Sequence, residues 1–161
     1  KEAFLVKVLF ICTGNICRSP TAEGVFRALV QENQLEQEIE IDSVGTGSWH
    51  VGNPPDPRSQ EAAAKRGFDL SYMRARLIDS QDILNSDYLI AMDATNVESL
   101  HLIVPAKMRG KLSRFLEFVP KLGQKDVPDP YYDGGAGFDL VLDLIEEASQ
   151  GLLRHIQKSD L

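Results

Sequence analysis

Cysteine is scarce in this chain. Two occur among 161 residues, Cys12 and Cys17, in one short stretch. So close a pair cannot build a disulfide framework, and a reducing cytoplasm is the expected compartment. Basic charge is also in short supply: 17 Lys and Arg stand against 24 Asp and Glu, for a formal net charge of −7. That balance argues against general binding to nucleic acid or to an anionic membrane, since both need a basic face. No apolar run approaches the ~20 residues of a membrane helix, and the segment that begins at Lys1 does not read as a signal peptide. No His-Glu-x-x-His, paired-cysteine or calcium-loop pattern occurs, so no metal is expected. His50, His101 and His155 are scattered without ligand spacing and receive no role. The Gly-x4-Gly-Lys-Ser/Thr nucleotide loop is missing too, and no cofactor is expected. Repeats, linkers and low-complexity segments are lacking. Residues 1–161 read as a single domain, expected to act as a monomer.

What is present alternates between strand and helix patterns. Residues 4–11 read as a buried strand, 39–44 as a second and 88–92 as a third, with a weaker fourth at 112–116. A helix opens at Ser19-Pro20 with an apolar stripe at Ala22, Val25, Phe26, Leu29 and Val30. Asp56-Pro57 reads as N-cap and first residue of another, stopped at Gly67. Ser80 is placed as the cap of a short helix at 81–85. Further helices are expected from Asp93 to Ile103 and from Phe138 to Lys158. Alternation of this kind implies an α/β fold: an open parallel sheet with helices on both faces. Ligands of such sheets bind beyond the carboxyl ends of the strands. Cys12, the segment Ser43 to Trp49, Asp93 and Asp129 all fall at that edge.

The first strand runs into Cys12-Thr13-Gly14-Asn15-Ile16-Cys17-Arg18-Ser19-Pro20. Strand, loop and helix N-terminus make an anion site, in which successive backbone N–H groups form a nest and the helix dipole adds positive charge. The phosphate-binding groups are therefore Thr13, Gly14, Asn15, Ile16, Cys17 and Arg18. A thiol is nucleophilic as the thiolate, the form that such a nest favours. Arg18 can grip two phosphoryl oxygens with a planar fork. Gly14 and Asn15 tolerate the positive φ of a tight cradle. The Ser19 hydroxyl is placed to donate to the Cys12 sulfur. Cys17 is either an idle buried thiol or a trap for an oxidised Cys12. Read by composition, Asp129 between Pro128 and Pro130 is a turn residue. Asp93 reads as a helix N-cap that steadies the site, and Ser43 and Asn15 as loop supports.

The stretch from Cys12 to Pro20 resembles the signature of the low-molecular-weight protein tyrosine phosphatases. The resemblance continues in Asp42-Ser43-Val44-Gly45-Thr46-Gly47-Ser48-Trp49-His50, Pro54-Pro55-Asp56-Pro57-Arg58, Met92-Asp93-Ala94-Thr95-Asn96 and Asp129-Pro130-Tyr131. It implies four strands in the order 2-1-3-4. It also implies hydrolysis of phosphotyrosine or another aryl phosphate through a phosphocysteine, without a metal. Asp129 then matches the family's general acid, and Trp49 and Tyr131, with Tyr132 beside them, the walls of an aryl pocket. The trapping role of Cys17 is the one the resemblance favours. Two rivals remain open at this point. An arsenate reductase on the same fold would have to work without a third cysteine. A phosphocysteine phosphocarrier would have no use for Arg18 or for a leaving-group acid.

Overall fold

The computed structural model describes residues 4–131 and 136–161. Strand β1, Val6–Cys12, is apolar over most of its length and lies at the centre. Such a run needs cover on both faces, as a parallel sheet provides. Its side chains alternate: Val6, Val8, Phe10 and Cys12 face one core, Leu9 and Ile11 the other. β2, Ile39–Gly45, pairs with it from Val6–Ile39 to Cys12–Gly45. β3, Tyr88–Ala91, pairs on its other side from Val8–Tyr88 to Ile11–Ala91. β4, Leu112–Arg114, pairs with β3. All pairs are parallel, and the order is 2-1-3-4, as the resemblance implies.

Helices cover both faces. On the Phe10 side, α1 (Arg18–Glu32), α2 (Pro57–Ala64) and α5 (Ala136–Asp160) close the larger core. The α1 stripe is buried there at Ala22, Val25, Phe26 and Val30, with Leu29 half-buried against it. On the Leu9 side, Ile83 of α3 (Ser80–Asn85) and Leu100 of α4 (Ala94–His101) close the smaller core. Phe138, in the first turn of α5, packs against Ile16, Cys17 and Ala75, so α5 also touches the loop after β1. No helix among the described residues is long and apolar enough to cross a membrane.

Several boundaries differ from those the sequence predicts. β1 starts at Val6, because Phe4 and Leu5 precede the first paired rung and are exposed. It ends on Cys12 itself, which pairs with Gly45. α1 begins at Arg18, with Pro20 inside the first turn, where a missing N–H costs nothing. The cap of α3 is Asp79, not Ser80: Asp79 accepts from the Asp82 amide and Asp82 returns the bond, a capping box. β3 stops one residue early, yet the Met92 amide still donates to the Ile11 carbonyl. α4 runs from Ala94 with Asp93 as its cap and ends at His101. β4 is cut short because Phe115–Phe118 coils into a 3-10 turn, and Glu117 accepts from the Arg114 amide at 2.8 Å.

Gly151 marks the closest approach of α5 to that turn. A Cβ there would collide with the Phe118 carbonyl oxygen, a backbone atom that cannot rotate away. Gly151→Ala should therefore destabilise the protein by about 1–3 kcal/mol, despite the roughly 1 kcal/mol gain in helix propensity. Urea denaturation measures this, and a variant as stable as the wild type would mean that the two backbones have room.

Candidate active site

The loop after β1 is built with its carbonyls turned outward. The Cys12 carbonyl accepts from the Thr46 amide, Thr13 from Gly47, Ile16 from Asp56 and Cys17 from Thr21. A trans peptide points its C=O and N–H in opposite directions. The amides of Thr13, Gly14, Cys17 and Arg18 are thus left on the side away from these outer neighbours. Cys17 is the N-cap of α1 and gives it no side-chain cap; of the next two helical residues after Arg18, Ser19 turns its amide to the Cys12 sulfur and Pro20 has no N–H.

Asn15 takes the left-handed conformation, with φ of 56°. Its buried amide is fully used: Nδ2 donates to Ser19 Oγ (2.8 Å) and Ser43 Oγ (3.1 Å), and Oδ1 accepts from the Arg76 amide (3.0 Å). Gly14, by contrast, has no positive φ. Its need is space, because a Cβ would lie 3.0 Å from Cδ2 of His50. Ser19 Oγ sits 3.0 Å from the Cys12 sulfur, a contact in which either atom can donate, and the Ser19 amide donates to the same sulfur at 3.4 Å.

Arg18 is 2% exposed. Its NH1 donates to Asp93 Oδ2 at 2.6 Å and to the Val127 carbonyl at 2.8 Å, and its NH2 lies 3.8 Å from Asp129 Oδ2. Burial works against its charge. The Cys12 sulfur, Asp93 and Asp129 together outweigh burial and hold the guanidinium above its ordinary value. Asp93 caps α4 through its other oxygen, which accepts from the Asn96 amide at 2.8 Å. Burial also pushes the Cys17 thiol up to about 12, so Cys17 is a neutral thiol near pH 7.

A cavity of about 420 Å³ opens over this loop. Cys12, Arg18, Asp129, Trp49 and Tyr131 all take part in its lining. Trp49 is 74% exposed, and its ring lies over Gly47, where any Cβ would collide with it. Tyr132 falls outside the described residues. Among the described residues, no group of three or more His, Cys, Asp or Glu is arranged to hold a metal ion.

The segments at the carboxyl ends of the strands meet at one place, as the sheet rule requires. With this geometry in view, the comparisons with known proteins carry weight. Residues 7–160 match the model of a family described as low molecular weight phosphotyrosine protein phosphatase. The chain belongs to that family. It is similar to the low molecular weight protein-tyrosine-phosphatase YfkJ of Bacillus subtilis, with 44% identity over 96% of this chain and 97% of the relative. The YfkJ crystal structure superposes with a TM-score of 0.94, covering 100% of this chain and 99% of that one at 42% identity. A phosphatase of the same description from Schizosaccharomyces pombe is 44% identical over 94% of this chain and 97% of its own length. A protein tyrosine phosphatase from Entamoeba histolytica, crystallised with Hepes in its active site, has a TM-score of 0.92 at 36% identity, covering 97% and 99% of the two chains. Family members are cysteine-dependent enzymes, and Cys12 is present here at the end of β1.

Residues that the sequence pattern did not single out also join the site. His50 lines the cavity, its ring centroid 6.0 Å from that of Tyr131. Asn96 is buried and donates to Thr13 Oγ1 at 3.2 Å, tying α4 to the loop. Its signal is the spacing Asp93-x-x-Asn96, a capping box with a short third residue. Glu23 accepts from Ser43 Oγ at 2.7 Å and from Arg27 at 2.9 Å. Its signal is helical periodicity, since Ser19, Glu23, Phe26 and Val30 share one buried face of α1.

Glu23 ends a relay that runs through Ser43, Asn15 and Ser19 to Cys12. Burial pushes its carboxyl above the usual 4.5, against the opposing hydrogen bonds from Ser43 and Arg27. The folded state thus holds this proton more tightly than the unfolded chain does. The stabilisation it gives is complete below the usual carboxylate value and fades as pH rises through the raised folded value. Relative to Glu23→Gln, which does not titrate, the wild type should lose stability from about pH 4.5 upward. Chemical denaturation of both proteins across that range checks the sign, and parallel curves would mean that Glu23 binds its proton equally well folded and unfolded.

Proposed function

We propose that the chain is a single phosphatase domain that hydrolyses phosphotyrosine and related aryl phosphates through a phosphocysteine, without a metal. The observation that carries this reading is the convergence of Cys12, Arg18 and Asp129 on one cavity walled by Trp49 and Tyr131. The Cys12 sulfur attacks phosphorus as the aryl oxygen leaves, and Asp129 gives that oxygen its proton. Water then attacks the phosphocysteine, Asp129 takes its proton, and the S–P bond breaks to release phosphate and the thiolate. The inward amides and Arg18 hold the equatorial oxygens. With NH1 spent on Asp93 and Val127, the Nε–NH2 edge of Arg18 serves as the fork. Ser19 steadies the returning sulfur. The Asp129 carboxylate beside Arg18 favours a hydrolase over a phosphocarrier, which has no leaving group to protonate.

The test is the dependence of rate on the leaving group. A phenolate of the tyrosine type, with pKa near ~10, needs a proton, and an electron-poor phenolate does not. Asp129→Asn should slow the first half-reaction about 10²–10⁴-fold for the former, and the deficit should shrink as leaving-group pKa falls. The wild-type rates should be unchanged in excess chelator. A deficit that ignores leaving-group pKa would assign Asp129 a purely structural role, and activity restored only by added metal would overturn the metal-free mechanism.

The second proposed role is redox protection. Both cysteines are free and buried in one loop. Peroxide oxidises the Cys12 thiolate to a sulfenic acid, releasing hydroxide. The Cys17 thiol then displaces that hydroxyl as water and forms the disulfide. Mild peroxide should therefore yield a Cys12–Cys17 disulfide that a dithiol reverses. Mass spectrometry of the loop peptide decides, and Cys12 sulfinic acid beside a free Cys17 would refute the role.

A further inference from the structure

The acid loop has little regular structure of its own. Asp129 lies between two prolines on a segment without helix or strand, and its side chain is 43% exposed. Its Oδ1 accepts from the Tyr131 amide at 3.0 Å. The carbonyl of the same residue, Tyr131, accepts from Arg58 NH2 at 2.9 Å. Arg58 is in turn gripped by Asp56: Nε donates to Oδ1 at 3.0 Å and NH2 to Oδ2 at 2.8 Å. Asp56 is buried and caps α2, accepting from the Arg58 amide at 2.8 Å. The Arg58 side chain pulls its carboxyl below the usual carboxylate range. The Asp56 amide donates to the Ile16 carbonyl of the phosphate loop at 2.7 Å. The guanidinium carbon also stacks 4.8 Å from the Phe138 ring and 5.5 Å from that of Tyr131.

These contacts join the nucleophile's loop to the acid through α2. We propose that Arg58, oriented by Asp56, is a positioning residue that aims the Asp129 carboxyl at the leaving oxygen. The inference rests on the reading of Asp129 as the acid. The fork is essential to it: one NH2 group serves Asp56 and Tyr131 with its two hydrogens while Nε fixes the plane. A lysine offers a point charge on a flexible stem and cannot hold that geometry. Arg58 touches neither phosphorus nor the leaving group, so its loss should leave phosphate binding intact. It should weaken only the step that depends on where the proton sits.

The experiment compares wild type, Arg58→Met, Arg58→Lys, Asp56→Asn and Asp129→Asn across a series of aryl phosphates. Competitive inhibition by inorganic phosphate is measured alongside. Misplacing a catalytic group by about 1 Å can cost ~10²-fold, and a loosened but present acid should cost less, about tenfold, for the phenol-type substrate. For Arg58→Met that deficit should shrink with leaving-group pKa, with the phosphate inhibition constant unchanged and no rescue in Arg58→Lys. Asp56→Asn keeps the helix cap, since Asn caps well, but loses the charge on the fork. It should show the same leaving-group trend with a smaller loss, and it guards against misfolding of Arg58→Met. If Asp129→Asn shows the trend and both Arg58→Met and Asp56→Asn do not, the positioning role is wrong and the acid assignment stands. A uniform loss across all leaving groups, or full rescue by lysine, also overturns it. If Asp129→Asn itself shows no trend, the acid reading falls and takes this inference with it.

Discussion

The ion pair between the buried Arg18 and the half-buried Asp93 is the constraint on which the site depends. Arg18 opens α1, directly after the phosphate loop, and Asp93 opens α4, directly after β3. Their 2.6 Å contact spans the two crossovers that flank the central strands. The Val127 carbonyl adds a third segment, the approach to the acid loop, to the same NH1 group. A buried charge stripped of its partner costs about 3–5 kcal/mol, so these three segments are held to one arrangement. That fixes which edge of the guanidinium can face a ligand. The positive charge of Arg18 is thus local, set inside a chain that is acidic overall.

Around this pair, short polar side chains do what longer ones could not. Asn15, Ser19 and Ser43 form a compact network beneath the Cys12 sulfur, and every polar atom of the Asn15 amide has a partner. Asn96 performs a similar task on the far side through Thr13. Buried networks of this kind rigidify a site when fully satisfied. Glu23 sets the outer limit of the first network and anchors it to Arg27 and, through Arg27, to the Ile41 carbonyl of β2.

Much of this was legible in the chain. The apolar run of β1 and the stripe of α1 specify a covered parallel sheet. The order of loop, cap and acid segments along the chain matches the edge where they meet. Other features carried no readable signal because they depend on distance in space. The capping box of α3 is not one of these, since its spacing Asp79-x-x-Asp82 is local. Gly14 reads as a positive-φ residue, yet it is glycine because His50 comes close, and His50 is 36 positions away. Tertiary contact likewise decides that Arg58 reaches Tyr131, 73 residues on. Periodicity describes one element at a time, and these contacts join two.

The outward-turned carbonyls have one more consequence. The bond from Thr46 to Cys12 belongs to the last rung of the β1–β2 ladder, Cys12–Gly45, and the bond from Gly47 to Thr13 ties the next residue to the segment that follows β2. The start of this loop is therefore anchored directly to the end of the sheet. Elements so paired open with the core, whereas surface loops open on their own. The inward amides of Thr13 and Gly14 are thus ordered with the fold, so the cost in chain entropy of fixing them is met during folding.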